Sequence, residues 1–250
     1  MTKYIDLKSG EERASCPPFV AALGDFDGVH IGHRRVLAGA VLAARDAALS
    51  SAVWFFADNP KSRAKRLTGN EEKIKLFSEL GIDFAICVDF EDVRHISPAE
   101  FPKKCLVPVG CRGVVCGFNF RFGEGAAGDP ALLESLCAEE HMEFSLIPPV
   151  ISNGVTVSST AIRERLAEGD VRRAAEMLGR DYSLCAEVSH GRTLGTKLGF
   201  PTINQSFNEE LAVPRHGVYY TLTEIDGRLL PSVSNVGSRP TVGGDRKSVV

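Results

Sequence analysis

From Phe19 to about residue 150 the chain alternates short β-rich runs with stretches whose apolar residues recur at helical spacing. Few architectures accommodate that alternation. "FVAAL" (19–23) leads into a helix with Val36, Leu37, Ala40, Val41 and Ala44 along one face. "SAVWFF" is the next strand, and "EEKIKLFSELG" the next helix, with Gly81 as its stop. "DFAICVDF" is the third strand. In "SPAEF", Ser97 is expected to cap a helix, with Pro98 at its first position and Glu100 reaching back. "RGVVCGF", a helix opened by Asp129 and Pro130, and "EFSLIPPV" complete the series. Strand and helix in alternation predict a parallel sheet covered by helices on both faces.

A helical stretch follows, "SSTAIRERLAEGDVRRAAEMLG", with Asp170 as a second cap and Gly179 as a stop. From "YSLCAEVSHG" onward the pattern turns to strands and turns, and Asp226-Gly227 is a hairpin signal. The change in character divides the chain at residue 182, an α/β domain over 1–181 and an all-β domain over 182–250.

A net charge of −3 gives no global reason to expect nucleic acid or an anionic membrane as a partner, so any polyanion must be held locally. The N-terminus lacks the apolar core of a signal peptide, and no segment approaches a membrane span. The expectation is therefore a cytoplasmic protein. The 7 cysteines are scattered and none forms a C-x-x-C pair, which predicts buried free thiols rather than zinc ligands or disulfides.

"GDFDGVHIGH" follows the first strand and opens a helix, where a parallel sheet binds ligands and helix amides favour phosphate. Gly28 and Gly32 let the backbone approach a ligand, and His30 and His33 present two imidazoles that can stabilise charge building on a phosphate. Two helix-capping histidines without a ligand, or a metal pair, are the other readings. Neither a P-loop nor a dinucleotide fingerprint is present. The H-x-G-H signal resembles the signature of the α/β nucleotidyltransferases.

Three further clusters carry chemistry. Ser158, Ser159 and Thr160 before Arg163 make either a plain N-cap or an anion clamp suited to the ATP polyphosphate. In "GFNFRFGEGAAGD", Phe118, Phe120 and Phe122 alternate ahead of a glycine-rich turn, giving either a strand with one apolar face or a platform for a flat heteroaromatic ligand. "HGRTLGTKLGFPTIN" is a glycine-rich hairpin or a phosphate cradle, with Thr202 and Asn204 as oxygen ligands for Mg²⁺.

In this order the motifs resemble the bacterial bifunctional riboflavin kinase/FAD synthetase family, together with "PRHGVYY" and "SNVGSRPT". The resemblance spans essentially the whole chain. It implies a Rossmann-like FMN adenylyltransferase domain followed by an all-β riboflavin kinase barrel, acting on ATP with Mg²⁺, with riboflavin, FMN and FAD as substrates or products. By position it implies that His30, His33 and Arg163 act in adenylyl transfer. Gly24, Phe26, Asp27, Gly28, Gly32, Ser158, Ser159 and Thr160 would hold ATP. Asn59, Gly117, Phe118, Asn119, Phe120, Phe122 and Asp129 would seat the flavin. Gly191, Lys197, Gly199, Pro201, Thr202 and Asn204 would bind Mg-ATP in the kinase half, Thr202 and Asn204 nearest the metal. Small molecules are the expected partners. Another H-x-G-H transferase, or a non-catalytic flavin-binding fragment, is the competing reading.

The chain departs from the family pattern at Asp25, where Asn is frequent, at Asn59, where His is frequent, and at Asn119, where Asp is frequent. Family kinase domains also continue past the position of Val250, and the glutamate held to be their general base lies in that continuation. The resemblance thus implies an incomplete barrel and impaired kinase activity.

Overall fold

The computed structural model describes residues 2–7, 16–56, 64–189, 202–238 and 247–249. By compactness the chain forms two units, Met1–Arg63 with Thr68–Ser158, and Ala64–Leu67 with Ser159–Val250.

The first unit is built on a 6-stranded sheet of β1 (Lys3–Leu7), β2 (Phe19–Leu23), β3 (Ser50–Phe56), β4 (Phe84–Val88), β5 (Cys111–Gly117) and β6 (Glu143–Ile147). The order is β1-β4-β3-β2-β5-β6, and every pairing is parallel. The expected parallel sheet is present, with one strand more than the periodicity showed. That strand, β1, is a five-residue edge on which only Ile5 is buried, too short and polar to stand out.

The inner strands read as continuous apolar runs because both faces are covered. Along β2 and β3 alternate residues part to opposite sides. Val20, Ala22, Val53 and Phe55 pack with Val36 and Leu37 of α1 (Ile31–Asp46) and with Leu76 and Phe77 of α2 (Asn70–Glu79). Phe19, Ala21, Leu23, Ala52 and Trp54 join Phe101, Leu106 and the buried residues Leu133 and Leu136 of α4 (Pro130–Glu139) on the other. A short helix, α3 (Phe90–Val93), follows β4.

One local expectation is corrected. Pro98–Glu100 is a single 3-10 turn that runs on into a π-type turn at Pro102–Leu106, and Ser97 makes no side-chain cap. Its hydroxyl instead donates to the Glu100 carboxylate at 2.9 Å, so the serine oxygen that a capping box would turn toward the helix backbone is taken up by a side chain. The cysteines follow their apolar settings: all are free, and Cys87, Cys105, Cys111, Cys116 and Cys137 are buried. Burial pushes the Cys111 and Cys116 thiols up to about 12, so they are inert.

After the small hairpin of β7 (Ile151–Ser152) and β8 (Val155–Thr156) come α5 (Ser159–Glu168) and α6 (Val171–Leu178). Asp170 accepts from the Arg173 amide and Gly179 closes α6 in the left-handed region, as the sequence predicts. Composition changes at residue 182, yet by compactness α5 and α6 group with the strands that follow. The Leu166 carbonyl accepts the Arg215 amide at 2.8 Å, and Gly169, at φ +82°, leaves room for Arg215 and Tyr219.

Among the described residues the strands of this unit form one open antiparallel sheet in the order β11-β12-β13-β10-β9, comprising β9 (Val188–Ser189), β10 (Asn204–Ser206), β11 (Gly217–Ile225), β12 (Arg228–Ser238) and β13 (Lys247–Val249). Asp226 and Gly227 both have positive φ and make the predicted two-residue hairpin turn between β11 and β12.

Candidate active site

Strand β2 pairs with β3 on one side and β5 on the other, so the chain leaves β2 where the sheet's strand order reverses. The segment after β2 carries "GDFDGVHIGH" and the segment after β5 carries the phenylalanine loop. The two motifs, about 90 residues apart in sequence, therefore leave the carboxyl ends of neighbouring strands, with Leu23 opposite Cys116. Such a crevice is where open α/β sheets bind ligands.

The turn from Gly24 to His30 is strained and heavily held. Phe26 lies at φ +54° and Val29 at φ +40°, conformations that a bulky and a β-branched residue rarely adopt, with Gly28 at φ +85° between them. Reciprocal bonds clamp it, the Gly28 amide donating to Thr68 Oγ1 at 3.0 Å and the Thr68 amide to Asp27 Oδ1 at 3.2 Å. Asp27 and Thr68 are both buried. A hypothetical Cβ at Gly24 would lie 3.1 Å from the Phe26 ring, so the first glycine of the motif makes room for that ring.

His30 is the N-cap of α1, and its Nδ1 accepts the His33 amide at 3.1 Å. With Nδ1 accepting, the neutral ring carries its proton on Nε2, which becomes a donor. The His30 and His33 rings stack with centroids 3.5 Å apart, and Phe26 meets His33 edge-on at 5.3 Å. Gly32 is explained by the same arrangement. A Cβ there would sit 3.1 Å from both Cε1 and Nδ1 of His30, so the glycine between the histidines leaves space for the capping ring. Burial, the neighbouring His30 and the Lys73 ammonium hold the His33 imidazole well below its ordinary value, and its buried Nδ1 has no partner. At neutral pH His33 therefore stands uncharged in the first turn of the helix, where the first amides and the dipole already favour an anion.

Sequence reasoning missed Lys73. It is 2% exposed, its Nζ donates to the Asp25 carbonyl at 3.0 Å and lies 3.6 Å from the Asp25 carboxylate, and it sits 5.8 Å over the Phe55 ring. The charge of Asp25 at the start of the turn is thus balanced by a buried lysine. The signal was available: positions 73, 76 and 77 share one face of α2, and a lysine among core positions requires a partner.

Phe118, Phe120 and Phe122 do not form a strand. Phe118 is exposed, while Phe120 and Phe122 stack at 5.9 Å and Phe122 packs on Phe101 at 5.2 Å. Phe122 and Gly128 exchange backbone hydrogen bonds of 3.2 and 2.9 Å that close the glycine-rich turn. At Gly128 a Cβ would meet the Phe122 ring at 2.6 Å. Gly117 ends β5, and Asn119 is exposed. Asp129 caps α4, its carboxylate accepting the Leu132 amide at 2.9 Å.

The FAD synthetase family model matches residues 12–161 and the riboflavin kinase family model residues 178–250. The bifunctional riboflavin kinase/FMN adenylyltransferase of Escherichia coli strain K12 is 33% identical over 239 residues, 92% of this chain and 76% of that protein. The chain belongs to this bifunctional family. The enzyme of the same description from Bacillus subtilis strain 168 is 31% identical, over 89% of this chain and 72% of that protein. A solved structure described as a macrolide-efflux protein from Streptococcus pneumoniae matches with a TM-score of 0.88 at 26% identity, covering 98% of this chain and 83% of that one. Among the described residues of this family member no helix is long and apolar enough to cross a membrane.

The remaining residues that the resemblance implies are distributed as follows. Ser158 immediately precedes α5, Ser159 and Thr160 are its first residues, and Arg163 lies one turn in with its Nε donating to the Lys65 carbonyl. Thr202 is exposed, and Asn204 is buried in β10 opposite Ser189. These two supply neutral oxygens two residues apart, and among the described residues no group of three His, Cys, Asp or Glu could hold a metal. Asn59, Gly191, Lys197, Gly199 and Pro201 lie outside the described residues.

Proposed function

We propose that this chain transfers the adenylyl group of ATP to FMN, giving FAD and pyrophosphate, and that residues 178–250 belong to the step that phosphorylates riboflavin. The observation that carries the reading is the stacked, capped His30–His33 pair at the start of α1, beside the loop that leaves β5. An oxygen of the FMN phosphate attacks the α-phosphorus while the bond to the β-phosphate oxygen breaks, and pyrophosphate leaves with that electron pair. The protein supplies no covalent nucleophile. His30 donates through Nε2, and the open amides at the N-terminus of α1 stabilise charge as it builds on the phosphate oxygens. Ser158, Ser159, Thr160 and Arg163 are assigned to the nucleotide, and Phe118 and Phe120 to the isoalloxazine ring. Mg²⁺ enters as part of the nucleotide substrate and offsets its charge. A chain with free thiols acting on ATP and FMN suits the cytoplasm.

The test incubates the chain with ATP and Mg²⁺ plus FMN, riboflavin, phosphopantetheine or nicotinamide mononucleotide, and separates the products chromatographically. FAD from FMN is the expected product, and FMN from riboflavin reports the phosphorylation step separately. Turnover of phosphopantetheine or nicotinamide mononucleotide without FAD overturns the reading. H30A and H33A should each lower pyrophosphate release about 100-fold or more while FMN still binds.

A further inference from the structure

The turn between β2 and α1 is gripped residue by residue from one neighbouring element. Phe26, Gly28 and Val29 lie at positive φ, and such conformations in non-glycine residues persist only where the surroundings over-determine them. Here the surroundings are α2 and the two residues that lead into it. Lys73 Nζ donates to the Asp25 carbonyl at 3.0 Å, and the Phe77 ring meets Phe26 edge-on at 5.9 Å. The Thr68 amide donates to Asp27 Oδ1 at 3.2 Å, and Thr68 Oγ1 accepts the Gly28 amide at 3.0 Å. Four successive residues, 25 to 28, are thus held from positions 68, 73 and 77, all within the first unit.

Of these grips, the bond to Gly28 lies nearest the histidines, two residues before His30. Thr68 is 1% exposed, so a substrate does not reach its side chain. What it governs is direction. Val29, at φ +40°, carries the chain from Gly28 into the extended N-cap His30, whose Nδ1 accepts the His33 amide. A turn whose Gly28 amide is released can relax Val29 toward negative φ, and that rotation swings the root of His30.

We propose that Thr68 is a positioning residue for adenylyl transfer: its hydroxyl, by accepting the Gly28 amide, locks the strained turn in the conformation that aims His30 Nε2 at the transferring phosphate. This rests on the reaction proposed above. Packing alone asks for a β-branched side chain of this size, which valine supplies. Positioning asks for the oxygen.

The test therefore compares T68V, which keeps the shape and removes the acceptor, with T68S, which keeps the acceptor. Amide hydrogen exchange is measured by NMR without substrates, and the core amides of β2 and β3 report global stability. In T68V, exchange at Gly28 and His33 should rise about 10-fold more than at those core amides. The kcat for FAD formation should fall about 10- to 100-fold in T68V, with KM for ATP and FMN little changed. T68S should stay near wild type in both measurements. Should T68V not fold, T68C takes its place, since its sulfur is a weak acceptor, and its kcat should lie well below that of T68S. A T68V with wild-type kcat, a T68S as impaired as T68V, a T68C equal to T68S, or exchange that rises equally across the sheet overturns the proposal. If the exchange results hold but wild type makes no FAD from FMN and ATP, the hold of Thr68 on the turn stands and the reaction assignment fails.

Discussion

At the residue scale, each member of H-x-G-H is constrained by the others. His30 caps the helix only while its ring lies over position 32, and the absence of a side chain at Gly32 permits that pose. The cap in turn fixes the His30 tautomer, so the steric demand of one residue sets the hydrogen-bonding direction of another. G32A introduces a methyl group 3.1 Å from two ring atoms of His30 and must displace the ring. Losing the cap costs about 1 kcal/mol of stability. Turning Nε2 off its line should lower kcat for pyrophosphate release about 10- to 100-fold, more than that stability loss accounts for. Denaturant unfolding beside steady-state kinetics separates the two effects. A variant that loses stability but keeps kcat would show the ring's pose to be irrelevant to the chemistry.

At the element scale, the phenylalanine loop divides between anchoring and presentation. Phe122 is held by Phe101 and by its bridge to Gly128, Asp129 begins the next helix, and Phe118 remains exposed. Asp129 has a cap's geometry, so D129A should lower stability by about 1 kcal/mol, whereas D129N, an equally good cap, should be near neutral. Thermal unfolding of the two variants reads this directly, and FMN affinity measured in D129N isolates any contact of the carboxylate with the flavin.

Much of this level was legible in the sequence. The inner strands, the caps at Asp129 and Asp170, the stop at Gly179 and the Asp226-Gly227 turn all follow from local chemistry that tertiary packing leaves intact. The rest depended on contacts distant in sequence. The apolar alternation of 118–122 does not show that the chain turns after Gly117, and nothing local reveals that Thr68 clamps Asp27 or that Lys73 answers Asp25. Ser97 and Glu100 fit the capping-box pattern, but the Ser97 hydroxyl went to the Glu100 carboxylate instead of to the helix backbone.

At the scale of the whole molecule, the two units bury their sheets differently. The first covers both faces of a parallel sheet, so nearly every inner-strand residue is buried. In the second, the β11–β12 hairpin turns Thr221, Thr223, Ser232 and Ser234 to its half-buried face, where their hydroxyls bond one another at 2.6 to 2.8 Å. Its other face carries Val218, Tyr220, Leu222, Leu229 and Val233, all exposed, with Tyr220 directly opposite Val233. A period of two separates these faces in the sequence but does not say which is covered. An exposed apolar face of this kind binds hydrophobic probes, and charges placed on it remove little packing. The double variant V218K/V233K should therefore lower the fluorescence of a bound apolar dye while changing the stability of the fold by no more than about 0.5 kcal/mol per site. Since neither residue is among those assigned to adenylyl transfer, FAD formation should be unchanged. A fall in stability of several kcal/mol would instead mean that this face is packed in solution, and the Thr/Ser face would then be the one meeting water.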